Sequence, residues 1–161
     1  MKRISLILLA AIMLFNLAGC GSDHHDSKEE NFSFTYNGIQ ITPGVEAAPI
    51  IDALGDPKSY TEEPSCAFDG MDKTYYYGPF YLATYPLNGK YYIYTLWFTD
   101  DTVTTAEGIR IGSTRQQAEE AYGKSSYNGS NSFIVRRGNS KLTVLITDGH
   151  VSGIHYEANV D

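Results

Sequence analysis

Cysteine is nearly absent from this chain. Only Cys20 and Cys66 occur in 161 residues, so no disulfide framework can substitute for an apolar core. Positive charge is also scarce. Lys and Arg number 12 against 19 Asp and Glu, a formal net charge of −7, and such a chain is repelled by phosphate backbones, which excludes nucleic acid as a partner. Catalytic signatures are missing too: no serine nucleophile elbow, no HExxH and no phosphate-cradling glycine loop appear. The acidic pairs Asp69 with Asp72 and Asp100 with Asp101 lie in Asp-Gly and Thr-Asp-Asp contexts that serve turns first, and neither has the spacing of a calcium loop. A Cys–His pair of Cys66 with His150 or His155 would need an electropositive setting, whereas Cys66 is flanked by EEPS and AFDG. The expectation is a protein that is not an enzyme and that uses neither metal nor cofactor.

One apolar run is present, and it is short. Ile4 to Ala18 follows Lys2 and Arg3 and ends in LAGC, Leu17 to Cys20. As a helix it would rise roughly 22 Å against a hydrocarbon core of about 30 Å, which suits a cleaved signal peptide better than a permanent span. LAGC resembles the bacterial lipobox, and that resemblance implies cleavage of residues 1–19 and diacylglyceryl attachment to the thiol of Cys20. Loss of Lys2 and Arg3 leaves ten basic and nineteen acidic residues, a net charge of −9. Contact with the membrane is therefore assigned to the lipid alone, with the protein on the extracytoplasmic face of the cell membrane. The following stretch, GSDHHDSKEEN, has no apolar side chain and reads as a flexible tether over 20–31. His24 and His25 in such a tail chelate too weakly to define a metal site.

From Phe32 onward, two segments look alike. GIQITPGVEAAPIIDALG begins at Gly38 and GIRIGSTRQQAEEAYG at Gly108; both open Gly-Ile-x-Ile, and Gly44 precedes Gly55 by the same eleven residues that separate Gly112 from Gly123. The similarity predicts two copies of one supersecondary unit, 32–105 and 106–161. Each starts with a short helix. In the second, Ser113 is the expected N-cap with Gln116 at N3, and Ala118, Ala121 and Tyr122 share one face. In the first, Pro49 must sit in the opening turn, leaving about 47–54 helical. Period-two alternation follows each helix. Strands are expected near 73–77, 80–85 and 90–99 in the first unit, and in the second around Phe133 to Val135, Leu142 to Ile146 and 151–157, with turns at Asn88-Gly89 and Asp148-Gly149.

Tandem helix-then-meander units with this opening motif resemble the β-lactamase-inhibitor-protein-like fold, and the stretches CAFDGMDKTYYYGPFYLATYP and FTDDTVTTAEGIRIGS resemble a group of small lipoproteins of Gram-positive bacteria. The resemblance implies an α+β fold: two tandem units, each a helix followed by an antiparallel meander, forming one sheet with helices on one face.

Aromatic residues are concentrated. Residues 75–98 hold eleven of the twenty-one aromatics. Strict alternation along 90–99 sends Tyr91, Ile93 and Trp97 to one face and Tyr92, Tyr94, Leu96 and Phe98 to the other. Either the stretch 56–72 folds over the back of the sheet, or an aromatic surface is left open. Tyr76, Tyr81, Tyr92, Tyr94 and Trp97 are the candidate binding residues, for an envelope or secreted protein if the face is flat, or for a glycan or peptide if it is concave. Cys66, whose only disulfide partner is lost to lipid, is expected to be a buried packing residue beside Phe68, with Asp69 and Gly70 shaping the turn.

Overall fold

The computed structural model describes residues 30–160. The expected leader 1–19, the expected lipidation at Cys20 and the expected tether up to residue 29 lie outside the described residues. Strands and helices follow in the order β1 (Phe34–Tyr36), β2 (Ile39–Ile41), α1 (Ala48–Leu54), β3 (Ser59–Pro64), β4 (Met71–Tyr76), β5 (Phe80–Leu87), β6 (Lys90–Phe98), α2 (Arg115–Tyr122), β7 (Ser132–Arg137), β8 (Ser140–Thr147) and β9 (His150–Ala158), with a 3₁₀ turn at Lys124–Ser126.

Three hairpins turn on the same chemistry. Asn37-Gly38, Asn88-Gly89 and Asp148-Gly149 all have positive φ at both residues, 49° and 80°, 51° and 76°, and 50° and 76°. That is the type I′ geometry matched to the twist of the flanking strands, and Asn-Gly and Asp-Gly tolerate it best. The turns at 88–89 and 148–149 fall where the sequence places them. The β1–β2 hairpin is an addition to the expected elements, although its signal, an Asn-Gly between FTY and IQI, stands in the sequence.

β3 to β9 form one antiparallel sheet in the order β3-β4-β5-β6-β9-β8-β7. Both helices and the β1–β2 hairpin contribute to a single core on one face: Phe34 contacts Phe80 and Phe98 at centroid distances of 5.3 and 4.9 Å, Ala118 is fully buried, and Ile50, Ile51 and Leu54 pack against the same cluster. The fold is thus α+β, with an antiparallel sheet covered by helices.

The segment leading into the helix of each half docks onto the last strand of its own meander through equivalent backbone bonds. Gly44 N–H donates to Ile93 O, Ile93 N–H to Val45 O and Ala47 N–H to Tyr91 O, at 2.8, 2.9 and 2.8 Å. In the other half Gly112 N–H donates to Val151 O, Val151 N–H to Ser113 O and Arg115 N–H to Gly149 O, at 2.8, 2.7 and 2.9 Å. Immediately after Ile93 and Val151 the ladders with β5 and β8 shift register, Tyr94 and Ser152 being the extra residues.

Two local expectations are corrected. Thr114, not Ser113, caps α2: its hydroxyl accepts from Gln117 N–H while the Gln117 side chain accepts from Thr114 N–H. Ser113 is unable to cap because its carbonyl accepts from Val151 and its Oγ from Arg110 N–H. The stretch 56–72 covers the back of the sheet only at one corner, where Phe68 packs on Tyr85. Its first half is β3, which extends the sheet by pairing with β4 from Ser59↔Tyr76 to Pro64↔Met71, and every β3 residue is exposed.

Candidate binding face

The face away from the helices carries the candidate residues, and a bulge puts them there. Ala83 pairs with Thr95 and Thr84 with Ile93, so Tyr94 is unpaired. The extra residue resets the alternation of β6. Ile93, Leu96 and Phe98 face the core, at 0, 1 and 4 % exposure. Trp97 therefore joins Tyr92 and Tyr94 on the outer face, correcting the strict alternation that separates them.

The ladder partners then define a row across the sheet. Tyr76 is opposite Tyr81, Tyr81 opposite Trp97, Trp97 opposite His155, His155 opposite Thr143 and Thr143 opposite Ile134. Within it Tyr76 and Tyr81 stack at 4.5 Å with 27° between planes, and Tyr81 and Trp97 at 5.0 Å with 16°. These spacings match the separation of neighbouring strands. Each ring covers its neighbour's face, so the row turns mainly ring edges and hydroxyls outward. Tyr76, Tyr81 and Trp97 are half-buried, and Ile134 and Leu145 continue the apolar stripe at 38 % exposure each. Leu145 lies across Gly153, where a Cβ would come within 3.1 Å of its side chain.

Tyr92 and Tyr94 occupy a second cluster toward the opposite end of the strands. They surround Tyr85 at centroid distances of 5.8 and 6.1 Å, and Phe68 covers it at 4.9 Å, leaving Tyr85 8 % exposed. Tyr85 is not one of the residues that sequence reasoning singles out; its outward position follows from the same bulged ladder. Burial pushes its phenol pKa upward.

Phe68 comes from a loop that closes on itself. Ser65 N–H donates to Gly70 O at 2.9 Å, and Ser65 Oγ accepts from Ala67 and Phe68 N–H. Gly70 has φ +129°, and a Cβ there would press on Pro86 at 3.1 Å. Cys66 is exposed and free, which corrects its assignment as a buried packing residue. The turn around Ser65 aims Phe68 at the sheet and Cys66 away from it, so Phe68 pins the loop. Asp69 is exposed within that turn.

Charge on this face is unevenly placed. Glu63 and Asp72 lie at the β3–β4 side; Lys141, Glu157 and Arg136 lie at the β7–β8 side. Lys141 and Glu157 pair at 2.8 Å, and among the described residues the Arg136 side chain donates only to Asn159 Oδ1, at 3.3 Å. Asp72 Oδ1 is buried without a hydrogen-bond partner among the described residues. His155 is held below its ordinary pKa by burial, with Glu157 pulling the other way. A polar cleft of about 410 Å³ lined by Tyr94, Arg136, Asn139, Lys141 and Glu157 borders the face at this end.

No protein-family model, curated protein or solved structure matches the chain.

Proposed function

We propose that the chain is a lipid-anchored extracytoplasmic binding module that engages protein through the outer sheet face. The stacked row Tyr76–Tyr81–Trp97 carries this reading. Tyrosine and tryptophan provide rigid contact area at low entropy cost, and a half-exposed aromatic row on a sheet face that no helix covers is the kind of apolar patch found at interfaces. A glycan platform needs open ring faces, and stacking in this row takes up both faces of Tyr81 and one face each of Tyr76 and Trp97. This favours protein over a glycan ligand.

The tandem-unit, β-lactamase-inhibitor-protein-like architecture belongs to the same proposal. Its support is the recurrence of three docking hydrogen bonds and of a bulge at the same place in each half. Attachment through Cys20, with the leader removed, rests on the basic start, the short apolar run and LAGC. Replacing Cys20 with Ser should release the protein from membranes or leave it unprocessed; a Ser variant that fractionates and migrates like wild type would refute attachment.

Binding is tested in cells with a photo-crosslinking residue at position 81 on the outer face, and with one at position 60, where Tyr60 lies on the helix side of β3. A discrete protein adduct at 81, absent at 60 and lost on Trp97→Ala, is the expected result. Equal adducts at both positions, or none at 81, would overturn it.

A further inference from the structure

If the outer face binds protein, as proposed above, its charge pattern also points to the partner. We propose that the outer face docks a second copy of this chain, sheet against sheet about a two-fold axis parallel to the strands, with the tyrosine-rich half of each copy on the Ile134–Leu145–Arg136 half of the other.

Charge complementarity argues for this arrangement. β6 is the middle strand of β3-β4-β5-β6-β9-β8-β7. An axis along β6 therefore lays β4 across the partner's β8, and β3 across the partner's β7. Exposed Glu63 on β3 then lies over the strand of the second copy that holds Arg136, with Asp72 on the neighbouring strand. Neither Glu63 nor Arg136 has an ion-pair partner among the described residues, and a guanidinium is well suited to an exposed carboxylate. The alternative of edge-to-edge pairing is disfavoured by the same charges. Two copies of β3 would bring together Glu62 and Glu63 with their counterparts, and two copies of β7 would bring together Arg136 and Arg137.

Area and anchoring agree with it. Seven strands spaced about 4.8 Å apart and about 20 Å long present on the order of 600 Å² in projection, and more in accessible surface, close to the roughly 800 Å² per partner of a stable interface. Sheets packed face to face keep their strands within about 30° of alignment, so the two apolar stripes cross near Trp97. The chain enters the domain at Asn31 and Phe32, tied to the β7–β8 turn by Asn139 N–H to Asn31 Oδ1 and Phe32 N–H to Ser140 Oγ, both at 2.7 Å. An axis along the strands leaves Asn31 of the two copies at the same end of the dimer, as two lipid anchors in one bilayer require.

The axis itself provides the test, because Thr95 on β6 meets its own counterpart in the second copy. In the full-length chain in its membrane, with Cys66→Ser removing the exposed thiol, Thr95→Cys should give a band of two chains with a short bismaleimide. Thr35→Cys, exposed on the helix-side hairpin, should not. Arg136→Glu should cut the crosslinked fraction about fivefold to tenfold, and adding Glu63→Arg should restore it. A readout without substitution at the axis is sedimentation equilibrium of the detergent-solubilised chain, with two chains expected for wild type and a shift toward one for Arg136→Glu. Monomeric wild type, equal crosslinking at 95 and 35, or crosslinking indifferent to Arg136→Glu overturns the proposal. If that happens while the adduct at position 81 still contains another protein, the binding face stands and only the identity of its partner falls.

Discussion

Trp97 is the only tryptophan in the chain, and it sits between Tyr81 and His155 at the centre of the outer face. Burial disfavours the imidazolium of His155, so its folded pKa lies below the ordinary 6.5. The stability this contributes is complete above about pH 6.5 and declines as the pH falls toward and through the folded pKa, where the folded state must also take up the proton. Midpoints of urea unfolding should therefore fall from pH 7.5 to pH 5 by more in wild type than in His155→Gln. Trp97 emission should drop over the same interval, through quenching by the imidazolium, and remain level in the variant. At the same scale, exposed Cys66 should react with a thiol reagent at a rate close to that of the unfolded chain. Cys66→Ala should leave the unfolding free energy unchanged within about 0.5 kcal/mol, whereas Phe68→Ala should destabilise the 65–70 loop. A protected thiol would return Cys66 to the core.

At the level of elements, legibility depends on whether side chains or backbone make the element. β5, β8 and the hairpins at Asn88-Gly89 and Asp148-Gly149 carry alternating apolar residues and a turn pair of the right kind, so pattern and turn chemistry agree. β3 does not. SYTEEP has no apolar alternation because neither of its faces is packed, and it is a strand only through its backbone ladder to β4. The phase of β6 is hidden for a related reason: Tyr94 looks like any strand residue, and the register shift depends on the Gly44–Ala47 segment bonding to Ile93. The five candidate residues are readable as aromatic and outward in part, but their union on one face needs the bulge. Because Tyr94 is the spare residue, deleting it should leave a regular ladder and a folded domain, whereas deleting Leu82 from the facing strand, which has no spare residue, would invert side chains and unfold it. Circular dichroism melts of the two deletions distinguish these outcomes. The cap of α2 gives a second check: Thr114→Ala should cost about 1 kcal/mol through loss of the bond to Gln117 N–H, with the helix otherwise intact.

Across the whole molecule, the matching of the two halves extends onto the outer face. With Ile93 aligned on Val151, Trp97 aligns on His155, and these two residues are also each other's ladder partners. On the proposed tandem reading, the approximate two-fold relating the halves passes through that pair. Tyr76, Tyr81 and Trp97 on one side correspond to Ile134, Thr143 and His155 on the other. One half has ordinary strand residues on the solvent side and the other a stacked aromatic row, while the core positions behind both are apolar: Leu82 and Leu96 in the first, Val144 and Ile154 in the second. The second half holds together without an aromatic row on its exposed face, and this is the physical ground for assigning the row of the first half to binding. The most direct measurement is hydroxyl-radical footprinting of the full-length chain in intact cells, compared with the same chain extracted in detergent and diluted. Binding predicts that Tyr76, Tyr81 and Trp97 are protected in cells and become reactive on dilution, while Tyr60 on the helix side reacts alike in both. Equal reactivity of the three outer residues in both states would contradict it.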